Sequence, residues 1–520
     1  MNDFKRKTRE FIDSERFSSS VVTALVIAVV MVFNALLFTV VEMFGLVFYY
    51  DKPFDYSITG SSDELFDEAI KANKKVKIYF CMSESELKAH STGGEVYVTA
   101  KKFEEKYPEF IELDYLNIIT KQDKDGNFVD LNKYLEKDTT VSADSSETEK
   151  DETKYLPIYN SSVIFECGDN YKVITDNYTS TGFSPFYTMD SSRYITSYNG
   201  EEVMAAMISW VTVDEHKTAY FTQRHGEQVD TGFANLLLCA GYNIDTVDLR
   251  KNSVPEDAGL LIISNPTSDF EASKDGSVYT EMDKIREYME RDGGGNLYVT
   301  LDPYVKTLTV LEDFLIEYGI AFSTSVDHKG NTIKNIVKDN TDAITSDGFT
   351  LVCNFAKGEV AESIKGRVSD DDDGVLVRDI AALELSGNAK PLLTSSPSSS
   401  LEAGGKTVSS SGSYNVCAYS EKTNASGKVS KVFVVPSIYI AVSDTLNSDG
   451  YYNKDFLYST IESLFWDKPM PYGCSSISYS SQILRNLTMG TARIYTVAVM
   501  LIPTSIAVVG AVVLIKRKHR

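Results

Sequence analysis

A chain of 520 residues that is 43% hydrophobic and 24% charged has the composition of a folded protein, with room for two to four cores at roughly 150 residues per domain. Residues 1–20 carry five positive and four negative charges and residues 493–520 carry five positive, so of the net −23 the stretch 21–492 holds −29. A part that acidic repels phosphate backbones and anionic headgroups, which excludes nucleic-acid binding.

The first element in chain order is the run Val21–Val41, VVTALVIAVVMVFNALLFTVV, which has no charge. As a helix it spans the roughly 30 Å hydrocarbon core of a bilayer. Lys5, Arg6, Lys7, Arg9 and Arg16 precede it, as in a signal peptide, but it is too long for a secretory h-region and runs on into bulky MFGLVFYY, so an uncleaved anchor is expected. A second uncharged run, Ile494–Ile515, is followed at once by KRKHR. Basic flanks at both ends put both termini in the cytoplasm and residues 51–492 outside it, in a protein of the cell membrane held by two spans.

After the first run, KKVKIYF (74–80) reads as a strand, VYVTAKKFEEKY (96–107) as a helix and FIELDYLNI (110–118) as a strand. The polar EKDTTVSADSSETEKDETK (136–154) buries too little apolar surface to fold and reads as a linker or insertion. Strands return at SSVIFEC (161–167) and YKVIT (171–175), and EEVMAAMISWV (201–211) forms a helix with Asn199 as N-cap.

From Lys217 strands alternate with helices. KTAYF is a strand, FANLLLCAG (233–241) a helix ended by Gly241, YNIDTVDL and AGLLIISNP (258–266) are strands, MDKIREYMERDGGG (282–295) is a helix, NLYVTLDP (296–303) a strand and TVLEDFLIEYG (309–319) a helix. This is the pattern of βαβ units in a doubly wound, mostly parallel sheet, an α/β fold. Beyond residue 322 the chain is richer in strands, with GFTLVCNF, GVLVRDIAALEL and KVFVVPSIYIAV. The serine-rich stretch 392–413 reads as a long surface loop, and NKDFLYSTIESLFW (453–466) as a final helix. No repeat of fixed period is found.

Ligands of open α/β sheets sit beyond the carboxyl ends of the strands. TQRHGE, SNPTSD and LDP end there, so Arg224, His225, Glu227, Asn265 and Asp302 are the candidate binding residues. A His/Glu/Asp set suits acid–base work, but no G-x-S-x-G elbow supplies a nucleophile. For His225 the other reading is a turn residue, with Gly226 making the tight turn, and Asp302 before Pro303 has the same reading. GGKT (404–407) lacks the leading glycine and the following helix of a phosphate loop, and no G-x-G-x-x-G follows a strand, so no nucleotide cofactor is expected. Asp370–Asp373 lacks the spacing of a calcium loop, so no metal is expected either. Six cysteines lie more than fifty residues apart in hydrophobic contexts, a pattern of buried thiols, although outside the membrane they could also pair.

The segments EEVMAAMISWVTVDEHKTAYFTQRHGE, DAGLLIISNPTSDF and MDKIREYMERDGGGNLYVTLDPYVKTLTVLEDFLIEYGIAF together resemble the GldG family. These are membrane-anchored auxiliary components of ABC-type transport systems, first associated with gliding motility, whose soluble domain is similar to one in an intraflagellar-transport protein. The family's Gly-His-Gly-Glu turn stands here as Arg224-His225-Gly226-Glu227, with arginine in place of the first glycine. The resemblance implies a non-catalytic auxiliary subunit beside a separate permease and a cytoplasmic ATPase. Its rivals are an extracytoplasmic hydrolase of envelope carbohydrate working through His225, Glu227 and Asp302, and a structural scaffold.

The expected order is a cytoplasmic segment 1–20, a transmembrane helix within 21–50, an N-terminal α/β unit 51–135 and an acidic linker 136–156. The central α/β domain follows at 157–330, a mixed portion at 331–475, a link at 476–493, a second transmembrane helix at 494–515 and a basic tail at 516–520.

Overall fold

The computed structural model describes residues 56–479 except 60, 90, 137–154, 176–184, 190–194, 274–277, 340, 342, 369–373, 449 and 475. Both uncharged runs, the body of the acidic segment and Asp370–Asp373 therefore lie outside the described residues. No helix among the described residues is long and apolar enough to cross a membrane. All described residues belong to one compact unit that begins at Tyr56.

The N-terminal part opens with helix α1 (Ser61–Lys71), strand β1 (Val76–Phe80), helices α2 (Glu84–Ala89) and α3 (Ser91–Lys106), and strand β2 (Ile111–Tyr115). β2 pairs parallel to β1, as a helical crossover requires. β3 (Ser162–Cys167) and β4 (Asn170–Thr175) then complete this first sheet, β3 lying antiparallel to β1, in the order β2-β1-β3-β4. These two strands follow the acidic segment in sequence but return to the N-terminal core, because Ile78, Phe80 and Leu113 leave an apolar row that Phe165 fills.

After two short strands, β5 (Tyr187–Met189) and β6 (Ile195–Tyr198), comes α4 (Gly200–Val211), buried at every residue and packed against α1, α3, β3 and β4. A helix that is apolar almost throughout after its first turn, as this one is from Val203 on, belongs inside a protein. Asn199 stands at its N-cap position, but its side chain does not cap. Its amide instead donates to Thr188 Oγ1 at 3.0 Å and its Oδ1 accepts from Ser476 Oγ at 2.5 Å, ties that hold three segments together.

The second sheet is built from β7 (Thr218–Thr222), α5 (Thr231–Cys239), β8 (Asn243–Val247), β9 (Ala258–Ser264), α6 (Glu281–Glu290), β10 (Asn296–Thr300) and α7 (Thr309–Glu317). β8, β7, β9, β10 and the strand Val429–Val435 run parallel in that order. α4, α5 and helix Asn453–Leu464 cover one face over Phe221, Leu260, Ile262, Tyr298 and Phe433. α6 and α7 cover the other over Leu261, Ile263, Leu297, Val299 and Val432. Burial on both faces explains the unbroken apolar runs.

The sheet is not mostly parallel, however. Among the described residues it has eleven strands, and beyond Val429–Val435 it continues antiparallel through Asn415–Thr423, Lys390–Thr394, Thr350–Phe355 and Val375–Arg378. The reason is local: Asn424 Oδ1 accepts from Ser426 N and Lys428 N, and Gly427 takes φ +78, so a tight turn replaces a crossover helix.

The serine-rich stretch is also not a loop. It forms strands Ser400–Ala403 and Lys406–Ser409 after Lys390–Thr394, with Leu392, Leu393, Leu401 and Ala403 buried. The glycines of GGKT are the two-residue turn of this hairpin, at φ +55 and +77. Ser396, Ser398 and Ser399 point inward and donate to the buried Asp339 carboxylate.

The last strand of the sheet, Val375–Arg378, is closed in part by the side chain of Asn453. Asn453 accepts from Leu376 N at 2.9 Å and donates to Leu376 O at 2.7 Å, as a neighbouring strand would, and reaches Ile440 O at 3.2 Å. At about 1 kcal/mol per bond, Asn453→Ala is expected to lose about 2–3 kcal/mol, readable as a lower urea midpoint.

Candidate functional site

The sheet's strand order reverses between β7 and β9. α5 carries the chain from β7 to one side over one face, and α6 carries it from β9 to the other side over the opposite face. Such a switch point opens a crevice at the carboxyl ends of the strands. The turn Gln223–Glu227 leaves β7 there.

Arg224 takes φ +82 and Gly226 φ +73. A Cβ on Gly226 would stand 2.0 Å from Thr267 Oγ1, so glycine is required by close approach as well as by φ. The turn is zipped to the loop after β9: His225 O accepts from Thr267 N at 2.8 Å and Ser268 N at 2.9 Å, and Gln228 N donates to Ser264 O at 3.0 Å.

The His225 side chain turns inward, 3% exposed, and stacks on Phe270 at 4.0 Å. Its Nδ1 lies 3.2 Å from Glu227 Oε1 and its Nε2 3.0 Å from Glu281 Oε2. Glu227 Oε2 accepts the His225 backbone N–H at 2.7 Å, and Glu281 Oε2 also accepts from Glu271 N at 2.9 Å. Glu281 is the first residue of α6, whose start is fixed by a capping box between Thr280 and Asp283.

Carboxylates on both ring nitrogens call for two N–H donors, that is, an imidazolium. Burial pushes the His225 pKa down, but the bonds and charges of Glu227 and Glu281 outweigh it and the net direction is up. Glu227 moves the opposite way: burial raises it, and His225 with the backbone N–H groups brings it below the ordinary value. The three side chains form a buried ionic triad in which neither imidazole nitrogen is left to take a proton from a substrate.

The other expected residues do not join this triad. Arg224 Nε lies 3.7 Å from Asp248 Oδ2, beside the end of β8. Asp302 accepts from Tyr304 N at 2.8 Å, a side-chain-closed turn. Asn265, held at φ +51, lines a separate crevice of about 190 Å³ with Asp230, Phe233, Ser264, Thr300 and Val442. Asn265 Oδ1 and Thr300 Oγ1 are themselves buried, without a partner among the described residues. A larger cleft of about 680 Å³, between β4 and β8, touches none of the five.

Sequence reasoning missed Glu281, Phe270, Asp230 and Thr300. Asp230 carried a readable signal, since it precedes TGFANLLLC and caps α5 by accepting Gly232 N at 2.7 Å. Glu281 stands 56 residues from His225, and no local pattern pairs them.

The backbone of Arg224 lies in the left-handed region, which costs a side-chain-bearing residue about 1–2 kcal/mol. The ion pair with Asp248 returns at most about 1 kcal/mol. Arg224→Gly is therefore expected to leave the thermal midpoint unchanged or slightly raised, while Arg224→Val lowers it.

All six cysteines are free thiols, five buried and Cys167 half-buried. Among the described residues no group of three or more His, Cys, Asp or Glu side chains could hold a metal ion.

The fold and the site together define a mixed α/β protein with a charged triad packed beneath its strand-end turn. No protein-family model matches the chain, and no curated protein matches it. Among solved structures it is similar to the mmIFT52 N-terminal domain at 16% identity over 47% of this chain and 96% of that one, with a TM-score of 0.34. It is also similar to PurLQS from Thermotoga maritima at 11% identity over 48% of this chain and 100% of that one, with a TM-score of 0.28. Likenesses at these scores carry no conclusion about family or activity.

Proposed function

We propose that this chain is a membrane-anchored, non-catalytic auxiliary subunit of an ABC-type transport system, working beside a separate permease and a cytoplasmic ATPase. Two uncharged runs with basic flanks hold it in the cell membrane, both termini cytoplasmic, and the acidic α/β unit faces outward. Its work is binding, of a transported solute or of the partner permease.

The observation that carries the non-catalytic reading is the closure of the histidine turn. A hydrolase working through His225, Glu227 and Asp302 needs an open imidazole nitrogen near a nucleophile or water. His225 instead has carboxylates on both nitrogens under an aromatic ring, and Asp302 is held in its own turn. The crevice lined by Asp230, Phe233, Ser264, Asn265 and Thr300 is the place offered for a small solute.

The full chain, extracted in mild detergent, is expected to bring a multi-span permease with it, identified by mass spectrometry. Recovery of this chain alone, at detergent levels that keep other transporters assembled, contradicts the reading.

A further inference from the structure

Glu95, in the second turn of α3, accepts three tyrosine hydroxyls. Tyr56 donates to Oε1 at 3.0 Å, and Tyr187 and Tyr479 donate to Oε2 at 2.9 and 2.6 Å. Tyr56 begins the compact unit and Tyr479 is its last described residue. One carboxylate thus ties Tyr56, where the unit begins, to Tyr479, its last described residue.

Other contacts hold the same two ends independently. The Tyr56 ring meets the edge of Tyr198 at 6.0 Å, and Tyr198 OH lies 2.7 Å from Thr99 Oγ1, one turn along α3 from Glu95. Ile477–Ser478 pairs with β6, placing Ile477 opposite Tyr198, and Tyr479 N donates to Thr196 O at 2.8 Å. Thr59 N and Oγ1 donate to Glu201 at 2.6 and 2.7 Å. Convergence therefore does not depend on a single bond.

We infer that the folded unit turns the face carrying Glu95 toward the bilayer, with Glu95 as the clasp at its point of suspension. This rests on reading 21–41 and 494–515 as membrane spans. Covalent connection then sends both tethers, 42–55 and 480–493, from one spot. Two tethers leaving one spot bring that spot nearest the membrane; ends at opposite poles would lay the unit on its side. The first tether carries Phe44, Phe48, Tyr49, Tyr50 and Phe54, residues suited to the headgroup level. Val98, nearly one turn after Glu95, is an exposed apolar residue beside the clasp.

The test uses the full chain in phosphatidylcholine–phosphatidylglycerol vesicles that carry nitroxide headgroups. A fluorophore is placed at Val98→Cys or at Tyr279→Cys. Tyr279 is exposed and precedes α6, on the sheet face opposite α4. Quenching several-fold stronger at 98 than at 279 is expected, with a smaller difference in Glu95→Ala, which loses all three tyrosine bonds, and an unchanged one in Tyr479→Phe, which loses only one. Equal or reversed quenching in protein that stays with the vesicles through an alkaline wash overturns the inference and leaves the spans standing. Release of the protein by the wash overturns the membrane reading, and the inference with it.

Discussion

His225→Ala is expected to destabilise the folded unit by about 3–5 kcal/mol, because it leaves Glu227 and Glu281 buried without their shared cation. Both are almost fully buried, and Glu281 Oε1 already lacks a partner among the described residues. The stacking on Phe270 and the tie between the loops after β7 and β9 are weakened with it. Two controls separate charge from packing. Glu281→Gln in the His225→Ala background is expected to recover part of the loss, since it removes one stranded charge. His225→Phe keeps the ring over Phe270 yet strands both carboxylates, so it is expected to stay destabilised. Urea midpoints of the three variants check the order.

The same triad sets a pH window. The His225 pKa is raised in the folded state, so its contribution is full below the ordinary value of 6.5 and is lost as pH rises through the raised one. The Glu227 pKa is lowered, so its contribution is present above its ordinary 4.5 and is lost as pH falls through the lowered one. The stability difference between the wild type and His225→Ala is expected to be greatest between those ordinary values and to shrink above 6.5. A difference that grows from pH 6.5 to pH 9 contradicts the imidazolium.

A second large effect is expected at Glu202→Ala. Glu202 sits in the first turn of α4 and accepts from Lys454 Nζ and from Tyr458 OH, each at 2.6 Å. Burial lowers the Lys454 pKa, but the Glu202 charge and bond outweigh it and the net direction is up. Removing the carboxylate strands an ammonium and a phenol between two central helices, at a cost of about 3–5 kcal/mol. Glu202→Gln keeps the shape and one acceptor and is expected to lose less. A double replacement, Glu202→Leu with Lys454→Met, is expected to lie nearer the wild type than either single change, since apolar pairs of similar volume replace buried ion pairs well. Thermal midpoints in detergent resolve the three.

What was legible in the sequence followed the range of the forces involved. Periodicity and end signals located β1, β2, β7, β9, β10, α4, α5, α6 and α7, because an apolar stripe and a glycine stop are local facts. Pairing is not local. β3 and β4 read correctly as strands, yet only the unfilled row beside Ile78 assigns them to the first sheet. The hairpins after residue 322 read as strands, but their antiparallel addition to the parallel half depends on turns such as Asn424–Gly427. The serine-rich stretch misled because its buried leucines are spaced by serines that satisfy Asp339, a partner about sixty residues away.

At the site, the strand-end turn and its histidine were visible, as was Glu227. The residue that closes the site, Glu281, was not, since it arrives from the next helix unit. Arg224 was legible as a turn residue, but its left-handed backbone was not, since arginine rarely takes that conformation.

The most direct measurement is the protonation state of His225 itself, by nitrogen-15 NMR of the full chain labelled at its five histidines, assigned by comparison with His225→Phe. At pH 7 the expected spectrum shows His225 with both ring nitrogens protonated, titrating above the ordinary imidazole value. A neutral His225 with one unprotonated nitrogen at pH 7 would contradict the closed triad, and with it the non-catalytic reading of this turn.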